Sequence, residues 1–155
     1  MRRGTKTIGV ISDTHGLVRA EALAALRGSD AIVHAGDIGK PDVLEQLAKL
    51  APLTAIRGNV DKWAVDLPDT VVLALAGKRF YVIHNLKELD LDPRSAGLAG
   101  VISGHSHVPK SEMRDGVLYV NPGSAGPRRF RLPVAVAKIR VHKDGVEAEL
   151  VTLSI

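Results

Sequence analysis

The stretch TIGVISDTHG, residues 7–16, decides the fold. Its first six residues form a near-continuous apolar run without alternation, the pattern of a strand covered on both faces. Asp13 to Gly16 then supply the short polar side chains and the glycine of a turn. Working outward, RAEALAAL (19–26) has helical spacing, AIVHA (31–35) is a second apolar strand, PDVLEQLAKL (41–50) is a helix opened by Pro41, and LTAIR (53–57) is a third strand. This βαβαβ alternation implies parallel strands with helices packed on the sheet faces. The second half changes character. TVVLALAGKRFYVIH (70–84) reads as a hairpin turning at Gly77, and Asp115-Gly116 and Asp144-Gly145 mark two more hairpins within EMRDGVLYVN (112–121) and VAVAKIRVHKDGVEAELVTL (134–153). The expected architecture is α/β: two mixed sheets packed face to face and flanked by helices, in one domain spanning 1–155.

Composition narrows the function. The chain has 155 residues and a net charge of +4, and its basic residues are scattered apart from Arg2, Arg3 and Lys6 at the start and Arg128, Arg129 and Arg131 later. Two Phe, two Tyr and one Trp are too few for a base-stacking platform, which disfavours nucleic acid as a partner. With no cysteine, disulfides and thiolate ligands are excluded. No apolar run approaches a membrane span, and the apolar stretch before Asp13 is too short for a signal peptide, so a soluble cytoplasmic protein without membrane association is expected.

In open α/β sheets ligands bind beyond the carboxyl ends of strands. Five strand ends here carry side chains able to bind a metal: Asp13 and His15, Asp37, Asn59, His84, and His105 with His107. The i, i+2 spacing of Asp13/His15 and His105/His107 sends both members of each pair to one side if the backbone stays extended. Gly36, Gly58 and Gly104 precede ligands and permit close backbone approach. Carboxylate, imidazole and amide oxygen without sulfur suit Mn²⁺, Fe, Zn²⁺ or Co²⁺ better than a dedicated Ca²⁺ or Mg²⁺ cage. Seven ligands exceed the needs of one ion and match two ions about 3.5–4 Å apart sharing a carboxylate. Two divalent ions carry +4 against −2 from Asp13 and Asp37, and a bridging hydroxide still leaves +1. Such a site attracts an anion and places hydroxide for in-line attack on phosphorus.

D-x-H at 13–15, G-D at 36–37, G-N at 58–59, His84 and G-H-x-H at 104–107 resemble, in order and spacing, the calcineurin-like metallophosphoesterase superfamily, especially its small uncapped bacterial and archaeal phosphodiesterase-like members. The resemblance runs from about residue 7 to residue 124, ending in NPGS (121–124). It implies a four-layer sandwich in which Asp13, His15 and His107 hold one metal, Asn59, His84 and His105 hold the other, and Asp37 bridges. It also implies catalytic roles for Asp37, Asn59 and His105, contact of Asn59 with the phosphoryl group, and a small-molecule phosphoester as substrate. Manganese is the first choice of metal, with zinc, iron, nickel or cobalt as alternatives. Two positions depart from the family pattern. Val60 stands where many members have a histidine thought to protonate the leaving group, and Asn85 follows His84 where glycine is common.

Two other functions compete: a non-catalytic protein-interaction module resembling the retromer scaffold subunit, and a nuclease. A homo-oligomer is compatible with either. Of the remaining residues, His34 reads as packing or as support for a ligand, His142 as an exposed bystander, and Arg57 as a phosphate contact or a sheet-end salt bridge. Asp61 reads as a ligand-orienting or a turn residue, and Arg128 with Arg129 as a phosphate clamp or a solvated loop.

Overall fold

β1 (Lys6–Ile11) lies at the centre of a five-stranded sheet because its side chains are wanted on both faces. Ile8 and Val10 enter the core between the two sheets, while Ile11 joins the core beneath the helices. At Gly9 a side chain would meet Leu26 Cδ2 at 2.8 Å, so glycine there lets α1 (Ala20–Leu26) settle on the sheet. β1 pairs in parallel with β2 (Ala31–His34), and β2 pairs in parallel with β3 (Leu53–Ala55). On its other side β1 pairs antiparallel with β9 (Ala135–His142), which forms a hairpin with β10 (Gly145–Thr152). Helix α2 (Pro41–Ala48), with Pro41 in its first turn, buries Val43 and Leu47 against the same face as α1.

The second sheet has the order β4-β5-β6-β8-β7. β4 (Thr70–Leu75) and β5 (Lys78–Ile83) form the expected hairpin through Ala76 and Gly77. β6 (Gly100–Ile102) pairs in parallel with both β5 and β8 (Val117–Asn121), and β7 (Lys110–Arg114) closes the edge antiparallel to β8. Phe80, Val82, Ile102, Leu118 and Val120 from this sheet meet Ile8, Val10, Ile139 and Val141 from the first. Two mixed sheets packed face to face are therefore present as expected. The layers outside them are unequal. Both α-helices cover the first sheet, whereas the outer face of the second is covered by a 3₁₀ turn (Leu86–Glu88), with Leu86 and Leu89 packing on Ile83, Val101 and Val117.

The computed structural model describes residues 5–129 and 131–155; Arg2 and Arg3 of the N-terminal basic cluster lie outside them. Among the described residues no helix is long and apolar enough to cross a membrane.

Candidate metal centre

β1, β2, β3, β5 and β6 all run toward one pole, and the loops that follow them carry the seven predicted ligands; β4 lies between them in sequence and contributes none. Asp13, His15 and His107 bring one ligand atom each within 4.8 Å of one another, and Asp37, His84 and His105 form a second such group. The two groups adjoin. Asp37 Oδ2 lies 3.3 Å from His84 Nε2 and 3.9 Å from His15 Nε2, so one carboxylate oxygen faces both. Asp13 Oδ1 in turn lies 3.4 Å from His107 Nε2 and 3.9 Å from His84 Nε2. Asn59 is exposed and lines, with Gly58 and His84, a cleft of about 470 Å³ beside the second group.

The backbone delivers these side chains in an unexpected way. Asp13 (φ 55°), His15 (φ 49°), Asp37 (φ 58°), His105 (φ 72°) and His107 (φ 64°) all adopt the left-handed conformation. The extended geometry expected for the D-x-H and H-x-H pairs is therefore corrected. Each pair converges because two left-handed residues flank Thr14 or Ser106 in a tight turn. Asp and His tolerate this region better than most side chains, though at a cost of about 1 kcal/mol or more each.

Hydrogen bonds hold the turns in place. Asp13 N donates to Gly36 O (2.9 Å) and His15 N to Asp37 O (3.0 Å), so the first two ligand loops share a ladder. Asp13 Oδ2 accepts from Ser12 Oγ (2.7 Å) and from His105 N (3.0 Å), tying the first sheet's site to the second's. Its other oxygen, Oδ1, is buried without a hydrogen-bond partner. His84 Nδ1 lies 2.7 Å from the Ala35 carbonyl, which can only accept, so Nδ1 carries the proton and Nε2 turns its lone pair to the site. His84 Nε2, His15 Nε2 and His107 Nδ1 are likewise buried and unpartnered. Buried ring nitrogens left unpartnered around a carboxylate that faces both groups are what bound cations would complete, so the donor set fits the metals that the sequence implies.

Burial raises the Asp13 carboxyl above the ordinary carboxylate value, against the pull of the Ser12 hydroxyl and of His84 and His107. Asp37 is buried too, but His84, the Val60 N–H and His15 outweigh that burial and hold its carboxyl below the ordinary value. Burial likewise opposes protonation of His84, yet Asp37, the Ala35 carbonyl and Asp13 raise it overall. For His107 burial prevails and lowers it, helped by the Arg129 charge nearby.

Two residues left ambiguous by the sequence acquire definite jobs. Asp61, fully enclosed, accepts backbone N–H bonds from Ile38 (3.0 Å), Gly39 (3.0 Å) and Gly58 (2.8 Å), clamping the Asp37 loop to the Asn59 loop. His34 accepts from Gly36 N at Nδ1 (3.1 Å) and meets Thr14 Oγ1 at Nε2 (3.0 Å), while Thr14 Oγ1 donates to Ile38 O (2.8 Å). This fixes the Nε2–H tautomer, and complete burial lowers the imidazole to about 3, so His34 is a neutral spacer between the loops of Asp13 and Asp37. Asn121 donates its amide to Gly104 O (2.9 Å) and Ser106 Oγ (3.0 Å), and Ser124 donates its hydroxyl to Asp13 O (2.9 Å), roles that residue type alone did not assign. Both belong to NPGS, the one signal that pointed to them. Arg57 forms a salt bridge with Asp69 (2.9 Å). His142 stands 4.0 Å from Glu147 on the β9–β10 hairpin. Arg128 and Arg131 are exposed.

Known proteins share both sequence and fold with this chain. A probable metallophosphoesterase of Methanocaldococcus jannaschii is 34% identical over 164 residues, covering 97% of this chain and 83% of that protein. Among solved structures, an archaeal phosphodiesterase superposes with a TM-score of 0.75 at 22% identity (94% of this chain, 99% of that one). Vps29 of Chaetomium thermophilum superposes with a TM-score of 0.76 at 17% identity (96% and 100%), and both of these likenesses concern the fold. Residues 7–144 match the sequence model of the calcineurin-like phosphoesterase superfamily domain, and on that match, which spans every ligand position above, the chain belongs to that superfamily.

Proposed function

We propose that the protein hydrolyses phosphodiesters with two divalent ions, one held by Asp13, His15 and His107, the other by Asn59, His84 and His105, with Asp37 shared. The observation that carries this reading is the position of Asp37 Oδ2 between His84 of one group and His15 of the other. When bound, the ions supply the Lewis acidity and the deprotonated water that phosphoester hydrolysis requires. The chain's residues do the rest. Asp61 and His34 set the spacing of the ligand loops. The Ala35 carbonyl fixes the tautomer of His84. Asn59, exposed at the lip of its cleft, would donate its amide to a phosphoryl oxygen, a role supported by its position on the cleft lining. Val60 has no proton to give, so the leaving group departs as its anion unless water protonates it.

A diester is favoured over a monoester because the centre is flanked on two sides. One cleft opens past His84 and Asn59, and another, of about 650 Å³, opens past His105, giving room for a group on each side of the phosphorus.

The test is hydrolysis of bis(4-nitrophenyl) phosphate by metal-stripped protein, with and without Mn²⁺, beside Asp37→Ala. Activity that requires the metal and disappears in the variant supports the reading. A folded protein inactive with Mn²⁺, Zn²⁺, Fe²⁺, Ni²⁺ and Co²⁺ overturns it. One observation favours a second reading, protein docking on this pole: Leu17, Val60, Trp63, Val65 and Val108, all in the ligand-bearing loops, are exposed. An inactive, metal-indifferent protein would make that reading the working one.

A further inference from the structure

The two clefts beside the metal centre have opposite electrical character. Past His84, the wall carries Asp69, Glu88 and Asp90 against a single cation, Arg57, already bound to Asp69. Past His105, the wall carries Lys87, Lys110 and Arg114. The antiparallel register of β7 and β8 sets Lys110 opposite Asn121, Glu112 opposite Tyr119 and Arg114 opposite Val117, so these side chains share one face of the sheet. Glu112 Oε2 lies 3.3 Å from Lys110 Nζ and 3.2 Å from Arg114 Nε, and the Arg114 guanidinium lies 4.2 Å from the centre of the Tyr119 ring. Arg114 is thus a flat cation backed by an aromatic ring and steadied by a carboxylate, with its outer face open. Three cations and one carboxylate leave this wall at +2, and three carboxylates with one cation leave the opposite wall at −2.

We propose that the basic cleft seats one arm of the substrate, and that this arm ends in its own anionic group, a carboxylate or a phosphate, beyond a short apolar spacer. The proposal rests on the phosphodiesterase reading and adds the chemistry of the substrate to it. Val108 and the edge of Tyr119 offer the spacer an apolar surface between His105 and the cations. The arm and the scissile phosphorus are held by one unit of structure, because Asn121 binds Gly104 O and Ser106 Oγ on either side of His105 and lines the same cleft. The acidic cleft repels that anionic end, so a diester carrying a single charged arm binds in one direction only.

The test uses the manganese-loaded protein and three 4-nitrophenyl phosphodiesters whose other arm is butyl, 4-carboxybutyl or 4-phosphobutyl. The expected result is a kcat/KM about tenfold higher for a charged arm than for butyl, shrinking in 0.5 M salt. Whichever charged arm is preferred identifies the terminal anion. In Lys110→Gln/Arg114→Gln the ratio of charged to neutral arm falls to about one. Equal rates for all three arms in the native protein overturn the proposal, and so does a double variant in which all rates drop together with the ratio preserved. If no diester is hydrolysed, the phosphodiesterase reading fails along with it, a result distinct from hydrolysis without discrimination.

Discussion

Removing the Asp61 carboxylate should damage stability and activity together. Its oxygens accept three backbone N–H groups, from Ile38, Gly39 and Gly58, at 2.8–3.0 Å, and Ile38 N is buried. A hydrogen bond to a charged group contributes about 1.5–3 kcal/mol, and water recovers part of that at the less buried glycine amides. Asp61→Ala should therefore cost about 4 kcal/mol, which for a domain of this size lowers Tm by about 10 °C. Asp61→Asn keeps one acceptor oxygen but points an NH₂ at a donor, and should cost about 2 kcal/mol. Because the clamp joins the loop of Asp37 to the loop of Asn59, a shift of the order of 1 Å follows, and with it about a 100-fold loss of metal-dependent hydrolysis even at temperatures where the variant is fully folded. Urea unfolding and initial rates with Mn²⁺, using the exposed Asp66→Asn as control, measure both effects. An Asp61→Asn protein within 0.5 kcal/mol of the native chain and equally active would refute the clamp.

Four further outcomes are expected. Folded His34 takes up a proton only near pH 3, whereas unfolded histidine does so near 6.5, so the unfolded state binds more protons in between and stability falls as pH falls. From pH 6.5 to 5 the loss should be about 2 kcal/mol, and His34→Gln should lack that portion of the slope in urea titrations. Gly58→Ala places a methyl group against the backbone nitrogen and Oδ1 of Asp37, and should abolish most Mn²⁺-dependent activity while circular dichroism stays native; a fully active variant would show that Asp37 can move freely. The Arg129 charge is felt at His107, so Arg128→Ala/Arg129→Ala should raise KM for a phosphodiester several-fold with little change in kcat, and unchanged kinetics would end the clamp idea for this loop. With Val60 unable to donate a proton, log kcat/KM should fall as leaving-group pKa rises along a series of aryl and alkyl diesters; a flat series would point to a proton donor elsewhere.

The positions of the seven candidate ligands were legible because each interrupts an apolar strand at its carboxyl end, where no packing role calls for Asp or His. The conformation that joins them was not. A spacing of two residues carries directional meaning only in extended chain, and the left-handed turns at Asp13, His15 and His105 are held by hydrogen bonds to residues remote in sequence, namely Gly36, Asp37 and Asp13. Asp61 escaped a definite reading for a related reason: its partners are backbone amides, which carry no residue identity, and two of them lie more than 20 positions away. The two-sheet fold followed from strand patterning and Asp-Gly turns. The thin layer over the second sheet did not, because beside Tyr81 and Tyr119 of the sheet itself the cover of Ile83, Val101 and Val117 comes from Leu86 and Leu89 of a 3₁₀ turn and its cap, too short to show helical periodicity.

The left-handed ligands also bear on how this sequence can drift. At each of the five positions glycine is the residue that would relieve the backbone strain, whereas most other replacements, β-branched ones above all, would add to it. Even glycine would forfeit part of that gain to a more flexible unfolded chain and, at Asp13, to the loss of the hydrogen bonds from Ser12 and His105. A substitution that discards one of these ligands therefore meets a left-handed turn that few side chains fit, so the backbone constrains the same five positions as the chemistry does.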